Sequence, residues 1–466
     1  MTKRLPRRDF IRAGLAAAAF AACDPSWGRQ NTNGQQAESS PTGWAQLPAI
    51  LASIVPPKFP DRDFPITDYG AGDAADVDSA PALNAAIQAC NRSGGGRVVV
   101  PAGRWLSNGP IRLLSKVNLY LDKDATITFG VDPGDYLPVV LVRWQGVRCY
   151  NYSPLIHAHG QKDFAITGAG LFNGQGDAWS SWADKSKEDW PVLQNMGRDG
   201  VPVGDRRFGP GHYLRPSLFE VYDCQNILVE GVTFEGSPFW TIHPTFCTNV
   251  TIRNVTVLPG GENDDGCDPD SCLNVLVSGC SFTTVDDNIS IKAGLNPDAK
   301  DLPSCENIVI QNCNLLRSQW SGLTIGTQIG GYVRNVFIEN CAVGNCQGAH
   351  YIKARANWGG GVENVYIRSN VVSTCDSLFI LQPDSLDFPG TAGPPVFSNI
   401  NMQDVTCADS AGPAFYFAGD PRLPIYGVNL TTIGVKRANR PAEISYTRRL
   451  TAEDIRVNGQ RLRLTL

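Results

Sequence analysis

The sequence predicts an all-β fold: a single right-handed parallel β-helix, a solenoid with a short N-terminal capping helix. Three observations carry that expectation. A unit of Asn, an apolar residue, any residue and a second apolar residue recurs at Asn226, Asn249, Asn274, Asn307, Asn335, Asn364 and Asn399. Successive asparagines are 23, 25, 33, 28, 29 and 35 residues apart, and a period of that size marks stacked repeats. Around each asparagine, apolar and other residues alternate over a few positions, the pattern of a short strand burying one row of side chains. The chain of 466 residues also holds 47 Gly and 32 Pro, enough for the many turns of such coils. An Asn at a fixed point of each coil can stack on its neighbours and hydrogen-bond the backbone of a turn.

Taken in chain order, the N-terminus resembles an address. Arg7-Arg8-Asp9-Phe10-Ile11-Arg12 is similar to the twin-arginine export motif, and the apolar run 13–22 is too short to span a membrane. Residues 1–22 are therefore expected to be a signal peptide. Phe20-Ala21-Ala22-Cys23 resembles a lipoprotein cleavage box, which makes Cys23 a candidate lipid anchor. Residues 23–61 are rich in Ser, Pro, Gln, Asn and Gly and are expected to form a flexible tether. The β-helix domain is expected over 62–466. Asp78 or Ser79 caps an amphipathic helix carrying Ala82, Leu83, Ala86, Ile87 and Cys90, and Gly94-Gly95-Gly96 stops it. Residues 97–103 open the first coils. The segment 179–208 is long, polar and outside the repeat, and is read as a loop able to block one end of a cleft. Near the C-terminus, Arg437, Arg440, Arg448, Arg449, Arg456, Arg461 and Arg463 protect the open end of the solenoid as a solvated cap.

Charge and cysteines narrow the function classes. The net charge is −5, and residues 1–22 contribute +4, so the remainder carries −9. An acidic body argues against nucleic-acid binding. Fourteen cysteines in an exported chain invite disulfides. Their placement argues for buried, stacked thiols instead, because Cys224, Cys247, Cys272 and Cys305 each stand two residues before a repeat Asn. Zinc binding is not expected.

The chemistry is expected at Asn263-Asp264-Asp265-Gly266-Cys267-Asp268 and Val285-Asp286-Asp287-Asn288. Asp265 and Asp286 are 21 residues apart, close to one coil, which places them on adjacent rungs. Clustered carboxylates on repeated strands point to acid/base work on a polar substrate; turn acids on a solvated corner are the alternative. Consecutive strand residues face opposite sides, so Asp286 and Asp287 can share one cleft only at a bend.

These segments resemble glycoside hydrolase family 28, the polygalacturonases and their relatives. The family pattern Asn-Thr-Asp-Gly-x-Asp matches residues 263–268 with Asp264 in place of Thr, and the family Asp pair matches Asp286-Asp287. Residues 143–147, 150–156, 237–240, 267–272 and 359–365 look like bacterial members, and the resemblance runs from about Phe64 to about Val405. It implies a catalytic trio: Asp286 as the general acid and Asp265 and Asp287 as the bases that activate water, in a single displacement with inversion. Acid and base are then expected about 6.5–9.5 Å apart. No cofactor or metal is implied. Two family positions differ. Trp320 stands where bacterial members carry His in a Gly-His-Gly motif, or Ser321 does if the alignment shifts by one. The family Arg-Ile-Lys reads Tyr351-Ile352-Lys353 here, which removes a bidentate carboxylate partner.

The candidate substrate contacts are Asn263, Lys353, Tyr351, Trp320, Lys292, His243 and His350. Lys292 is equally compatible with a solvated strand lysine, and His243 with a structural histidine. Trp144, Tyr150, Tyr152, Tyr213 and Trp240 are sugar platforms or core packing. The expected function is an exported inverting hydrolase of a pectin-type polysaccharide or oligosaccharide, acting as a monomer. The alternatives are a β-helix surface protein that only binds carbohydrate, or a uronate lyase using Asp264, Asp268 and Asp270 around Ca²⁺.

Overall fold

A computed structural model describes residues 42–72, 76–295, 297–383 and 392–464. The export and lipidation motifs and Cys23 lie outside the described residues. From Asp63 onward the described residues build coils of short strands, typically three to a coil. One coil is Leu273–Ser278, Ser281–Thr283 and Ile289–Ile291. The next is Cys305–Gln311, Asn314–Arg317 and Ser321–Ile325. Equivalent strands pair in parallel register from coil to coil, as in Val275, Ile308, Val336 and Val365. The sheets enclose one apolar core in which Phe219, Ile242, Ile289, Leu323 and Phe379 are buried.

The repeat asparagines form a continuous ladder. Each side-chain amide donates to the carboxamide oxygen of the Asn one coil earlier, from Asn249→Asn226 at 3.2 Å to Asn399→Asn364 at 2.8 Å. All seven hold φ between 52° and 61°. Asn tolerates this left-handed turn better than other non-Gly residues, which is why the repeat demands it. Asp163 extends the ladder one coil earlier, accepting from Asn226 at 2.8 Å.

The thirteen described cysteines are all buried and free. Cys224, Cys247 and Cys272 sit on successive rungs, with thiols directed at backbone carbonyls. They act as small interior side chains.

Both ends are capped. Helix α1 (Leu47–Ser53) precedes α2 (Ala80–Arg92), and α2 buries Ala82, Leu83, Ala86, Ile87 and Cys90 over the first coils. Asp78 accepts the Ala80 and Asn108 amides at 3.0 and 2.9 Å. Gly95 (φ 111°) lets the chain pass Lys116, whose carbonyl would lie 2.6 Å from any Cβ there. At the other end Val457 and Gln460 turn the last strand antiparallel, and the seven C-terminal arginines are exposed.

Two expectations about non-repeat segments are corrected. The tether was expected to reach residue 61, yet Gly43–Gln46 is a 3-10 turn continuing into α1. Leu47, Ile50 and Ile54 of this segment are buried against Val309 and Phe337 on the outer face of the ladder sheet. These strands carry apolar residues on both faces, and α1 covers the outer one. Similarly, 179–208 is not a loop. It contains α3 (Ser180–Arg198), which buries Ala183, Ser186, Leu193 and Gly197 at helical spacing. Leu193 packs with Trp144, Phe208, Phe239 and Trp240, forming a side lobe with the small sheet of Val140–Trp144, Val147–Asn151 and Arg207–Phe208. Trp144 lies flat on Phe239 with centroids 4.9 Å apart, and Tyr152 and Trp240 are also buried, so these aromatics are packing.

Candidate active site

The site lies along one corner of the coils, where chains turn into the sheet that contains Ile289–Ile291 and Ser321–Ile325. Cys267 bridges Ile289, and Ile289 pairs with Leu323. Two residues earlier on each rung, the same register aligns Asp265, Asp287 and Ser321. Asp286 occupies the turn just before, which resolves the geometric objection to adjacent acids. Three groups hold that turn. Buried Asp264 accepts the Val285 and Asp286 amides, each at 2.8 Å, and the Gly260 amide at 2.7 Å. The hydroxyls of Thr284 and Ser318 both donate to the Asp286 carbonyl.

One carboxylate oxygen from each of Asp265, Asp286 and Asp287 lies within 4.8 Å of the others. This corrects the separation of about 6.5–9.5 Å expected from the sequence. The cause is the fold, because neighbouring rungs stand only ~4.8 Å apart.

Two ammonium groups divide the trio. Lys292 Nζ donates to Asp265 at 3.1 Å and to Ser290 at 3.0 Å. Lys353 Nζ donates to Asp287 at 2.9 Å. Asp286 accepts a hydrogen bond from neither ammonium, though the Lys353 charge acts on it; among the described residues it accepts from the Asn263 amide at 3.0 Å and from the Asp287 backbone N–H at 2.8 Å. Burial, then the charges of Asp265 and Asp287, push the Asp286 carboxyl up to about 8. Burial raises Asp265 as well, while Lys292 pulls it down. Burial works against the lysine charges, but Asp265 and Asp268 hold Lys292, and Asp287 and Asp286 hold Lys353, above the usual range. The arrangement gives Asp265 and Asp287 each an ammonium partner and leaves Asp286 as the carboxyl best placed to carry a proton.

The family model for glycosyl hydrolases family 28 matches residues 209–450, which contain the whole trio. A hyperthermoactive exopolygalacturonase from Thermotoga maritima superimposes with a TM-score of 0.85 at 33% identity, covering 89% of this chain and 96% of that one. This chain belongs to glycosyl hydrolase family 28. A probable polygalacturonase from Vitis vinifera is 25% identical over 371 residues, 76% of this chain and 70% of its own length. The polygalacturonase of Erwinia carotovora shares the fold at a TM-score of 0.66 and 20% identity, over 85% of this chain and 98% of that one. The protein is a polygalacturonase-like glycoside hydrolase on a right-handed parallel β-helix.

Within this family 28 enzyme, the candidate contacts separate clearly. Asn263, Lys353 and Tyr351 line the site. Arg215 donates to the Asn263 carboxamide oxygen at 2.8 Å and so aims the amide at Asp286. Tyr351 has its ring 5.1 Å from Lys353 Nζ and its hydroxyl on Gln382 at 2.7 Å. Trp320 does not occupy the rung position beside Asp287; Ser321 does, pairing with Gly348. Trp320 instead stands at the rim, 51% exposed.

Three candidates are corrected. Lys292 is 3% exposed, its charge engaged by Asp265 and lying 3.2 Å from Asp268, so it is a buried counter-ion rather than a sugar contact or a solvated lysine. His350 pairs with Leu323 and Phe379 on the inward-facing row and bonds the Leu378 carbonyl at 3.2 Å. His243 is fully buried under the side lobe, within 3.6 Å of Glu220 and 3.7 Å of Asp270. The carboxylates available to a Ca²⁺-dependent lyase are likewise committed. Asp264 binds backbone amides, Asp268 is buried beside Lys292, and Asp270 pairs with fully buried Arg143 at 2.8 Å.

Sequence reasoning missed Arg215, and it did not give Asp264 its role as the brace of the Asp286 turn. The Asp-for-Thr departure at 264 was the available signal, since a carboxylate accepts more amide bonds than a hydroxyl.

Proposed function

We propose that this enzyme is an exported, inverting hydrolase of a galacturonan- or rhamnogalacturonan-type pectic chain. The observation that carries this reading is the unequal pairing of the trio: among the described residues, Asp286 alone accepts no hydrogen bond from an ammonium group. Asp286 therefore keeps its proton and gives it to the glycosidic oxygen as the C1–O bond breaks. A water held between Asp265 and Asp287 attacks C1 from the opposite face and passes a proton to that pair. Lys353 spends one N–H on Asp287 and has two more with which to meet a uronate carboxylate. Tyr351 replaces a bidentate fork by a ring edge and one hydroxyl, so the carboxylate contact is a point charge.

Export rests on the Arg7-Arg8 motif and on thirteen free buried thiols, which suit a protein that folds before translocation. Attachment through Cys23 and a monomeric state belong to the same reading. Exo action is named for the Thermotoga relative. It would appear here as monomer release from a polymer, without a ladder of oligomers.

A second reading is double displacement with retention, motivated by carboxylate oxygens that all lie within 4.8 Å of one another, closer than an inverting site usually keeps its acid and base. Its nucleophile would be Asp265 or Asp287.

The substrate test is reducing-end release from homogalacturonan, galacturonate oligomers, rhamnogalacturonan and neutral glycans, with EDTA controls. Release is expected to survive EDTA and to fall by about 10²–10⁴-fold in Asp286→Asn. EDTA-sensitive release with new ultraviolet absorbance would replace hydrolysis by elimination. Binding without release from any glycan would leave only carbohydrate recognition.

A further inference from the structure

Behind the trio, a column of aromatic rings in the side lobe carries two buried cations, and each cation leads to a different member of the trio. The column begins on α3, where the Trp190 ring meets Trp144 edge-on at 5.4 Å. Trp144 stacks on Phe239 at 4.9 Å and Phe239 on Trp240 at 5.1 Å, with interplanar angles of 12° and 18°. The backbone joins this column to the site, since the amide of Thr241, next to Trp240, donates to the Asp265 carbonyl at 2.8 Å.

At Trp240 the cation is Lys292, with Nζ 4.2 Å from the ring centroid. Its other neighbours are Ser290 at 3.0 Å, Asp265 at 3.1 Å and Asp268 at 3.2 Å. At Phe239 the cation is Arg215, with its guanidinium carbon 5.3 Å from the centroid. Arg215 donates to the Pro238 carbonyl at 3.1 Å and to the Glu262 carbonyl, while the Trp144 indole N–H donates to the Arg215 carbonyl at 3.0 Å. Its Nη2 donates to the Asn263 carboxamide oxygen at 2.8 Å, and the Asn263 amide donates to Asp286 at 3.0 Å.

Aliphatic side chains would fill this space as well as rings do. What rings add is a negative face, worth most to a cation that has lost its water. Lys292 and Arg215 are in that condition, at 3% and 2% exposure. The charged groups facing Lys292 are Asp265, Asp268 and Asp287, with Asp270 also within its field. His243 meets the Trp240 ring edge-on at 4.8 Å and stands between Glu220 and Asp270, and Asp270 is paired with Arg143. Those facing Asp286 are Asp265, Asp287, Lys353 and Arg215, while Glu262 and Asp264 also face Arg215.

We propose that the side lobe is a positioning device for catalysis: Trp240 sets Lys292 against the base Asp265, and Arg215, carried on Phe239, sets Asn263 against the acid Asp286. This rests on the hydrolase reading given above. Trp240 and Arg215 are positioning residues, each acting through a second side chain. Without the Trp240 ring, Lys292 is loosened from Asp265, and a carboxylate that loses an ammonium partner binds its proton more readily. The acid limb of kcat/KM then moves up in pH. Without Arg215, Asp286 loses both the aimed Asn263 amide and a nearby positive charge, so it keeps its proton to higher pH and the alkaline limb moves up instead.

The test follows kcat and KM of the full chain against pH on a galacturonate oligomer. Trp240→Leu is expected to lower kcat about tenfold with little change in KM, and to raise the acid limb by about half a pH unit or more. Trp240→Phe, which keeps a ring face, is expected to restore most of both. Arg215→Met is expected to raise the alkaline limb by a similar amount and leave the acid limb in place. Leu193→Ala is the control, because it removes apolar contacts from the same lobe and no ring face. It is expected to lower the melting temperature and leave both limbs in place. Thermal melting reports the folding of every variant, and Trp240→Met and Arg215→Lys are the second choices where the first does not fold. Unmoved limbs in folded Trp240 and Arg215 variants overturn the inference, and so does an equal movement in Leu193→Ala. Failure of the wild type to cleave any galacturonide overturns the hydrolase reading instead. The positioning is then read from carboxyl carbon NMR titrations, in which Asp265 is expected to shift upward in Trp240→Leu and Asp286 in Arg215→Met; unshifted titrations overturn it.

Discussion

The division of labour among Asp265, Asp286 and Asp287 is decided by where Lys292 and Lys353 sit. A carboxylate whose ordinary value is 3.8 and which the fold holds at about 8 has bound a proton that the unfolded chain has released. The contribution of Asp286 to stability therefore falls as pH rises between those two values. Asp286→Asn removes that term, so its stability relative to wild type is expected to increase with pH across the window, as measured by melting at several pH values. If Asp286 is the acid, as proposed, the alkaline limb of kcat/KM is expected near pH 8 and is expected to disappear from the residual rate of Asp286→Asn. Lys292→Met leaves Asp265 and Asp268 buried without a cation. A loss of about 3–5 kcal/mol is expected from denaturant unfolding, with activity lost even where the variant is folded, because Asp265 then takes up a proton. The Asp trio was legible in the sequence because its residues sit in local motifs. Lys292 was not, since its partner Asp265 lies one rung away and nothing in the sequence distinguishes a buried counter-ion from a solvated lysine.

At the scale of the element, the asparagine ladder was legible because each rung repeats one local requirement, a left-handed turn with an amide that can both donate and accept. Asn307 donates to Asn274 at 2.9 Å and accepts from Asn335 at 3.2 Å. Asn307→Ala removes both bonds and puts a Cβ with no compensating amide at φ 59°. A loss of about 2 kcal/mol is expected from denaturant unfolding, and Asn307→Gly is expected to recover part of it by relieving the backbone. Helices α1 and α3 were illegible for a different reason. Both pack against surfaces that exist only once the coils have formed, Val309 and Phe337 for α1 and Trp144 and Phe239 for α3. The composition of α3, polar and interrupted by Pro191, reads as a loop, while the short apolar α1 is hidden behind a Ser-, Pro- and Gln-rich stretch that reads as a linker. The choice between Trp320 and Ser321 stays open in the sequence for the same reason: only the register of Ser321 with Gly348 decides which residue stands beside Asp287.

For the molecule as a whole, stacking at one strand spacing per rung explains both the regular body and the crowded site. Parallel coils bring carboxylates from successive rungs close together whether or not the chemistry calls for that spacing. The lysines on the neighbouring rungs then make the crowding tolerable and leave Asp286 as the member of the trio without an ammonium hydrogen bond. The same stacking extends the corner past Trp320, so the cleft is a linear feature of the solenoid. Asp265 and Asp287 are close enough to share one water in direct attack, and the same closeness suits a covalent intermediate, so the configuration of the first product separates the two. Proton NMR of the first product formed from a galacturonate oligomer tests this most directly, since it reads the anomeric configuration before mutarotation. Appearance of the β-anomer from an α-linked substrate, absent with Asp286→Asn, is the expected result. Initial formation of the α-anomer would contradict the assignment and make Asp265 or Asp287 a nucleophile.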